Sequence, residues 1–243
     1  MRACVYTTIF GGYDPLREQP AQSVPTDFIC FTDVDDMGPT PPWSVIVNRE
    51  RLELNPRMRA KYFKILSHRV FPGGLIERDL LPPDAPMQTE AYDYVIFIDA
   101  TVQIISADFV KMIVSHVGES GWTMVVHPDR DCIYPEVSES LRLWPKKYAS
   151  SRILDQIQQY RDEGYPEHNG LLATTIIGRC ADDPALAEVN EAWWREITHY
   201  DSPQCQVSLP VVLWRMKQCP VGPINTHLYG NEYFRWVPHT RDD

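Results

Sequence analysis

The chain lacks an excess of positive charge: 23 lysines and arginines stand against 33 acids among 243 residues, a formal net charge of −10. Sequence-independent nucleic-acid binding needs phosphate-neutralising lysine and arginine, so no nucleic-acid partner is expected. No apolar run approaches the ~20 residues that a membrane-crossing helix requires, so no transmembrane segment is expected either. The opening stretch, Met1 to Thr8, turns polar before a signal-peptide core can form, and a soluble cytoplasmic protein is the expectation. The six cysteines, Cys4, Cys30, Cys132, Cys180, Cys205 and Cys219, include no C-x-x-C pair. Paired zinc-site spacing is therefore missing, and a disulfide framework would be denser in a shorter secreted chain; small buried hydrophobes are the simpler reading. Repeats and low-complexity tracts are absent. So are the G-x-x-x-x-G-K-[ST] phosphate loop, a G-x-G-x-x-G turn after the first strand, the G-x-S-x-G nucleophile elbow and the H-E-x-x-H zinc helix.

What is present suits a globular chain, with 44% hydrophobic and 23% charged residues. Short apolar runs predict strands at Val5–Ile9, Phe28–Phe31, Trp43–Val47, Tyr94–Ile98, Thr123–Val126 and Leu171–Ile177. Helical spacing predicts helices over Pro56–His68, Phe109–Val117, Ser138–Arg142, Ile153–Glu163, Ala185–His199 and Val207–Lys217, the last with Pro210 in its first turn. The proline-bearing stretch from Arg78 to Glu90 reads as a loop. Strands alternating with helices predict an α/β sandwich with a largely parallel sheet, and no linker divides the chain, so one domain is expected.

In such sheets ligands bind beyond the carboxyl ends of the strands, where this sequence places Thr7-Thr8, Asp33, Asp99, Thr101 and His127. Asp99 follows five apolar residues directly. A carboxylate there can hold a hard divalent cation that bridges diphosphate oxygens, or can cap the turn that follows. Arg57, Lys61, Lys64 and His68 recur at spacings of four, three and four, which places them on one helical face. Such a stripe in an acidic protein can receive a phosphorylated ligand or pair with surface acids. The segment His127–Glu136 offers a histidine, an arginine, a tyrosine and acids, as a site or as a structural loop. Trp193, Trp194, Trp214 and Trp236 are able to stack on sugars, although tryptophans are mostly core residues.

Six motifs then occur in order: VYTTIFGGYD at 5–14, DFICFTD at 27–33, RMRAKYFKILSH at 57–68, YDYVIFIDAT at 92–101, HPDRDCIYPE at 127–136 and the tryptophan-rich helix near 193. Across nearly its whole length the chain resembles the glycosyltransferase-like family of plant seed-mucilage proteins and bacterial polysaccharide-locus proteins. The resemblance implies a GT-A-type nucleotide-sugar-binding fold. It places Thr7, Thr8, Phe10 and Tyr13 beside the nucleotide, Asp33 near the base or ribose, and Arg57, Lys61 and Lys64 at the diphosphate. It further implies Mn²⁺ or Mg²⁺ at Asp99, with Thr101 and His239 (His227 second) as further ligands. Asn169-Gly170-Leu171 would lie near sugar or acceptor.

The chain departs from that family at two places. Asp99-Ala100-Thr101 stands where an Asp-x-Asp is common, and Gln204-Cys205-Gln206 stands where Arg-Asp-Gln is expected. A thiol replaces a carboxylate only where its pKa is depressed; Gln206 can still bond a sugar hydroxyl. The leading expectation is metal-assisted transfer of a sugar from a nucleotide-diphosphate sugar to a glycan or lipid-linked acceptor in polysaccharide biosynthesis. Asp131, Glu136 and Gln206 are the candidate catalytic residues, with Asp129 a further candidate base. The alternative is a nucleotide-sugar or glycan-binding module with impaired catalysis. One plant member is described as an alkaline ceramidase, but no nucleophile–base pair in this sequence supports amide or ester hydrolysis.

Overall fold

A computed structural model describes residues 1–49, 53–217 and 221–240. Four apolar runs, β1 (Ala3–Ile9), β2 (Thr26–Thr32), β3 (Trp43–Val47) and β4 (Tyr94–Ile98), pair in parallel in the order β3-β2-β1-β4. Beyond β4 lie β7 (Leu172–Cys180), β6 (Trp122–Val126) and β8 (Gly222–Ile224), completing a seven-stranded sheet. β7 is antiparallel to both neighbours, and β6 pairs in parallel with β8, so β7 alone runs against the rest. The sheet is mostly parallel and flanked by helices, as the alternation of elements predicts, and is compatible with a Rossmann-like fold. A two-stranded antiparallel ribbon joins β5 (Val102–Ile104) to β9 (Phe234–Trp236).

Alternation along β1 sorts the core into layers. Cys4 and Tyr6 face a cluster built with α1 (Pro56–Ile65), α2 (Ser67–Val70), α7 (Pro184–His199) and α8 (Cys205–Met216). Ala3 and Val5 face the opposite cluster, which holds α3 (Phe109–Val117) and the β5–β9 ribbon. A third cluster joins α4 (Ile133–Leu143), α5 (Pro145–Tyr148) and α6 (Ile153–Asp162) to Val207 and Val211 of α8. The five described cysteines are free thiols, four buried and Cys180 half-buried; Cys219 lies outside the described residues.

Local chemistry sets the helix starts. Asn55 accepts from the Met58 amide at 3.0 Å, and Pro56 occupies the first helical position, where a missing N–H costs nothing. Asp183 and Pro184 repeat the device at α7, Asp183 accepting from the Ala185 amide at 2.9 Å.

The expected helix over 56–68 is two helices. Leu66 leaves helical geometry (φ −88°, ψ 49°), and the buried Arg179 guanidinium donates to the Lys64 carbonyl at 3.0 Å, capping α1 from β7. α4 begins at Ile133, five residues before the expected start, because Pro135 falls in its first turn. α8 begins at Cys205, so Pro210 sits inside it rather than in its first turn. The Trp193 indole N–H anchors that opening turn, donating to the Cys205 carbonyl at 2.9 Å and the Ser208 hydroxyl at 3.1 Å. The three-residue strands β5, β8 and β9 carry too few residues to show a period-two pattern.

Where β7 passes under α3, a Cβ on Gly178 would lie 2.4 Å from Ile113 Cγ2 and 3.0 Å from Thr123 Cγ2. Gly178→Ala is predicted to destabilise the protein by about 1–3 kcal/mol through overpacking. A lowered urea midpoint with an unchanged slope checks it.

Candidate functional site

The chain moves outward from β1 to β2 and β3, then returns to place β4 on the other side of β1. That reversal opens a crevice at the carboxyl ends of β1 and β4, where open α/β sheets bind ligands. A cleft of about 560 Å³ occupies it, lined by Thr8 and Phe10 after β1, Asp99 after β4, and Arg57, Lys61 and Lys64 of α1.

The loop after β1 is fixed through its backbone. Gly11 has φ +69°, and its amide donates to Asp33 Oδ1 at 2.8 Å. A Cβ at Gly11 would meet Pro56 Cβ at 3.1 Å, so the loop and the start of α1 approach closely. The other oxygen of Asp33 pairs with the buried Arg59 guanidinium at 2.9 Å, and Arg59 also donates to the Asn48 carbonyl at 2.8 Å. Asp33 thus fixes the loop, and it is not among the residues lining the cleft. Tyr13 stands in the cleft with its ring centroid 5.2 Å from that of His239 and 5.9 Å from the Arg57 guanidinium.

Lys64 is 2% exposed, and its ammonium lies 3.3 and 3.5 Å from the two Asp99 oxygens and 4.9 Å from the Phe97 ring centroid. Burial lowers its pKa against the pull of Asp99. Burial opposes the charge of Lys61 also, yet Cys205 and Asp99 raise its pKa above the ordinary value. Burial pushes the Cys205 thiol up, but Lys61, Lys64 and a 3.4 Å contact with the Thr174 hydroxyl bring it below its usual range. The two lysines therefore face two acids, Asp99 and Cys205. This is the environment in which a thiol takes on anionic character.

Asp14, absent from the expected set, shares the cleft with His239 and accepts from its Nδ1 at 2.8 Å. Burial alone would raise the Asp14 pKa; the His239 hydrogen bond and charge, with the Thr240 amide, hold it below the ordinary carboxylate value. A carboxylate on Nδ1 leaves Nε2 of that imidazole to a ligand, the arrangement metal sites use to orient a histidine. Asp99 and His239 thus bring a carboxylate and an imidazole to the lining of one cleft, donor types that divalent cations accept. Among the described residues, no group of three or more His, Cys, Asp or Glu side chains forms a cation site by itself.

The remaining expected residues lie elsewhere. Thr7 is buried on the α3 side of β1, where its hydroxyl finds no partner among the described residues. Thr101 is buried, its carbonyl bonded to the Val237 amide at 2.8 Å beside the β5–β9 ribbon. His68 lies beyond the break at Leu66 and pairs with Glu191 at 2.9 Å. Glu136 is buried, and one of its oxygens accepts from Gln206 at 2.7 Å, Gln204 at 3.0 Å and Ser140 at 3.3 Å; the other takes Arg130. Glu136 and Gln206 are therefore brought together, while Asp131 pairs with His168 at 2.8 Å on the surface. Asn169, Gly170 and Leu171 line a second, apolar hollow with Leu213 and Trp214. Trp193 is core, and of the four tryptophans named as sugar-stacking candidates only Trp236 is exposed.

Sequence reasoning missed Asp14, Lys147, Ser150 and Ser151 of the cleft wall. Asp14 meets His239 across 225 residues, a separation no local pattern carries. Lys147 follows Pro145, and a basic pair at a helix start was its only signal.

Comparison with the models of known protein families finds no match, and comparison with curated proteins finds none.

Because its folded pKa is depressed, Asp14 contributes stability that is fully present above its ordinary value of 3.8 and lost as pH falls through the lower folded value. The difference in melting temperature between wild type and Asp14→Asn should therefore be full at pH 6 and shrink below pH 3.8. Thermal unfolding of both proteins across that range measures it.

Proposed function

We propose that the protein transfers a sugar from a nucleotide-diphosphate sugar to a glycan or lipid-linked acceptor in polysaccharide biosynthesis. The observation that carries this reading is the cleft at the β1–β4 crossover, whose lining joins Arg57, Lys61 and Lys64 of α1 to Asp99, with Lys64 in contact with that carboxylate. The resemblance to the glycosyltransferase-like family, and with it a GT-A-type fold, belongs to the same proposal. The sheet order, with a single reversed strand next to the one bearing Asp99, is compatible with it.

In the transfer, the acceptor hydroxyl oxygen bonds to the anomeric carbon as that carbon's bond to the β-phosphate oxygen breaks. The electron pair leaves with the diphosphate, and the hydroxyl proton passes to a base. Arg57, Lys61 and Lys64 stabilise the leaving charge from a preorganised, partly dry wall, where such charges act most strongly. Asp99 and His239 are the residues that would hold Mn²⁺ or Mg²⁺, which when bound would add positive charge beside the leaving group. Tyr13, braced between Arg57 and His239, presents a ring face to the nucleotide.

The loop after β6 leaves the sheet at the same edge as Asp99, because β7 is antiparallel to both β4 and β6. That loop carries Asp131, bonded through Oδ1 to His168 at 2.8 Å on the surface, and its Oδ2 is the proposed proton acceptor. Glu136 has both oxygens occupied, so with Gln206 it serves to hold the acceptor side of the site in shape.

A second reading, nucleotide-sugar binding without turnover, is favoured by one observation: the Lys64 ammonium already neutralises Asp99. The two separate in an assay of donor hydrolysis and transfer over a panel of nucleotide sugars, with and without Mn²⁺. The glycosyltransferase reading predicts turnover of at least one donor, reduced about a hundredfold or more in Asp99→Ala. Nucleotide binding with no turnover of any donor establishes the binding module instead.

A further inference from the structure

His127 is the first residue beyond β6, and its amide still follows the sheet, donating to the Leu171 carbonyl at 2.9 Å. Its side chain is 7% exposed. Nδ1 of the ring accepts from two backbone amides, those of Asp129 at 3.2 Å and Arg130 at 3.1 Å. One side-chain acceptor closing on the amides two and three residues ahead is the device by which Asn, Asp and Ser shape turns. Here an imidazole does it. Pro128 has no N–H to offer, so the first two amides that the loop possesses both end on the ring.

Those bonds define the chemical state of the ring. A nitrogen that accepts from an N–H carries no proton, so His127 is neutral and its proton sits on Nε2. Nε2 lies 3.6 Å from Oε2 of the buried Glu136 on α4, and the same oxygen takes the Arg130 guanidinium. The charged groups facing the ring are thus Glu136 from α4, with Arg130 and Asp129 from the loop itself. Burial is the largest influence and disfavours an imidazolium; Glu136 and Asp129 favour one and Arg130 opposes it, and the pKa falls below the ordinary histidine value. Geometry adds a separate obstacle. A proton on Nδ1 would face two amide N–H groups, and neither bond could survive it.

We propose that His127 is a positioning residue: as the neutral Nε2–H tautomer it holds the loop of Asp129, Arg130 and Asp131 in place, and protonation at Nδ1 releases that loop. The purpose of the device rests on the reading of Asp131 as the proton acceptor. Asp131 follows directly after the second amide that the ring holds. Asp129 ties the same loop to the stretch before β9, its Oδ2 accepting from the Tyr229 phenol at 2.5 Å. Arg130 is turned onto Glu136, which Gln204 and Gln206 also hold from the opening of α8. One imidazole therefore sets where the acceptor-side carboxylates stand. Because its folded pKa is depressed, the ordered loop is present at neutral pH and is lost as pH falls through that lower value.

Two-bond ¹H–¹⁵N spectra of the uniformly ¹⁵N-labelled full chain, titrated between about pH 8 and about pH 5, read the protonation state of each ring nitrogen. The spectrum of His127→Asn identifies the His127 signals among those of the seven histidines. A bare Nδ1 and a protonated Nε2, still neutral at pH 6.5, are expected, with the Asp129 and Arg130 amide signals moving in step as the ring titrates. A proton on Nδ1 at neutral pH, or a titration that leaves both amides unmoved, overturns the proposal. Two variants test the acceptor itself, with melting temperatures to show that each folds. His127→Asn keeps an oxygen near the place of Nδ1 and should leave the two amide signals close to their wild-type positions at neutral pH. His127→Gln carries its acceptor one bond further out and should shift both; like behaviour of the two variants overturns the proposal as well. Where a donor is turned over, His127→Gln should lower kcat about tenfold with the donor KM unchanged, and His127→Asn should restore most of it. The spectra need no donor, so absence of turnover leaves the positioning role to be decided by them alone.

Discussion

The ammonium of Lys64, buried against the carboxylate of Asp99, is the contact on which the rest of the site depends. Removing a lysine from water is costly unless an opposite charge and good packing receive it. Here Asp99 supplies the charge, and Phe97 packs its ring against the ammonium. The pair also joins α1 to the end of β4 across the crevice that the strand order creates. Arg179 of β7 completes the constraint by holding the carbonyl of the same lysine, so backbone and side chain of residue 64 are both fixed. The positive wall of the cleft is consequently set by the fold before any ligand arrives, which is what electrostatic stabilisation of a leaving group requires.

Around this pair the acids are sorted by burial and partner rather than by proximity in sequence. Asp33 and Arg59 spend their charges on closing the loop after β1, and Glu136 spends its oxygens on Arg130, Ser140, Gln204 and Gln206. Asp14 orients His239, and Cys205 opposes Lys61. Two lysines beside the Cys205 thiol favour the anionic form that burial alone would suppress.

Much of this was readable in one dimension. The stripe of Arg57, Lys61 and Lys64 follows helical spacing, and all three line the cleft; the run at 94–98 announces a central strand whose end carries Asp99. The break at Leu66 was not readable, since the apolar and basic periodicities continue through it and its cause, Arg179, comes from a distant strand. Strand direction leaves no trace in periodicity, so the reversal of β7 could not be foreseen. The fates of Asp33 and Glu136 were hidden for a related reason. A strand-end or loop carboxylate looks the same in sequence whether it awaits a ligand or already holds an arginine.

The most direct test of the central claim is calorimetric titration of UDP, GDP and CDP into the protein, with and without Mn²⁺. The account predicts binding of at least one nucleoside diphosphate, sharply weakened in Lys64→Met, which keeps the buried stem and removes the ammonium. Absence of binding by all three nucleotides under both conditions would contradict it. The cleft would then be a feature of the fold alone.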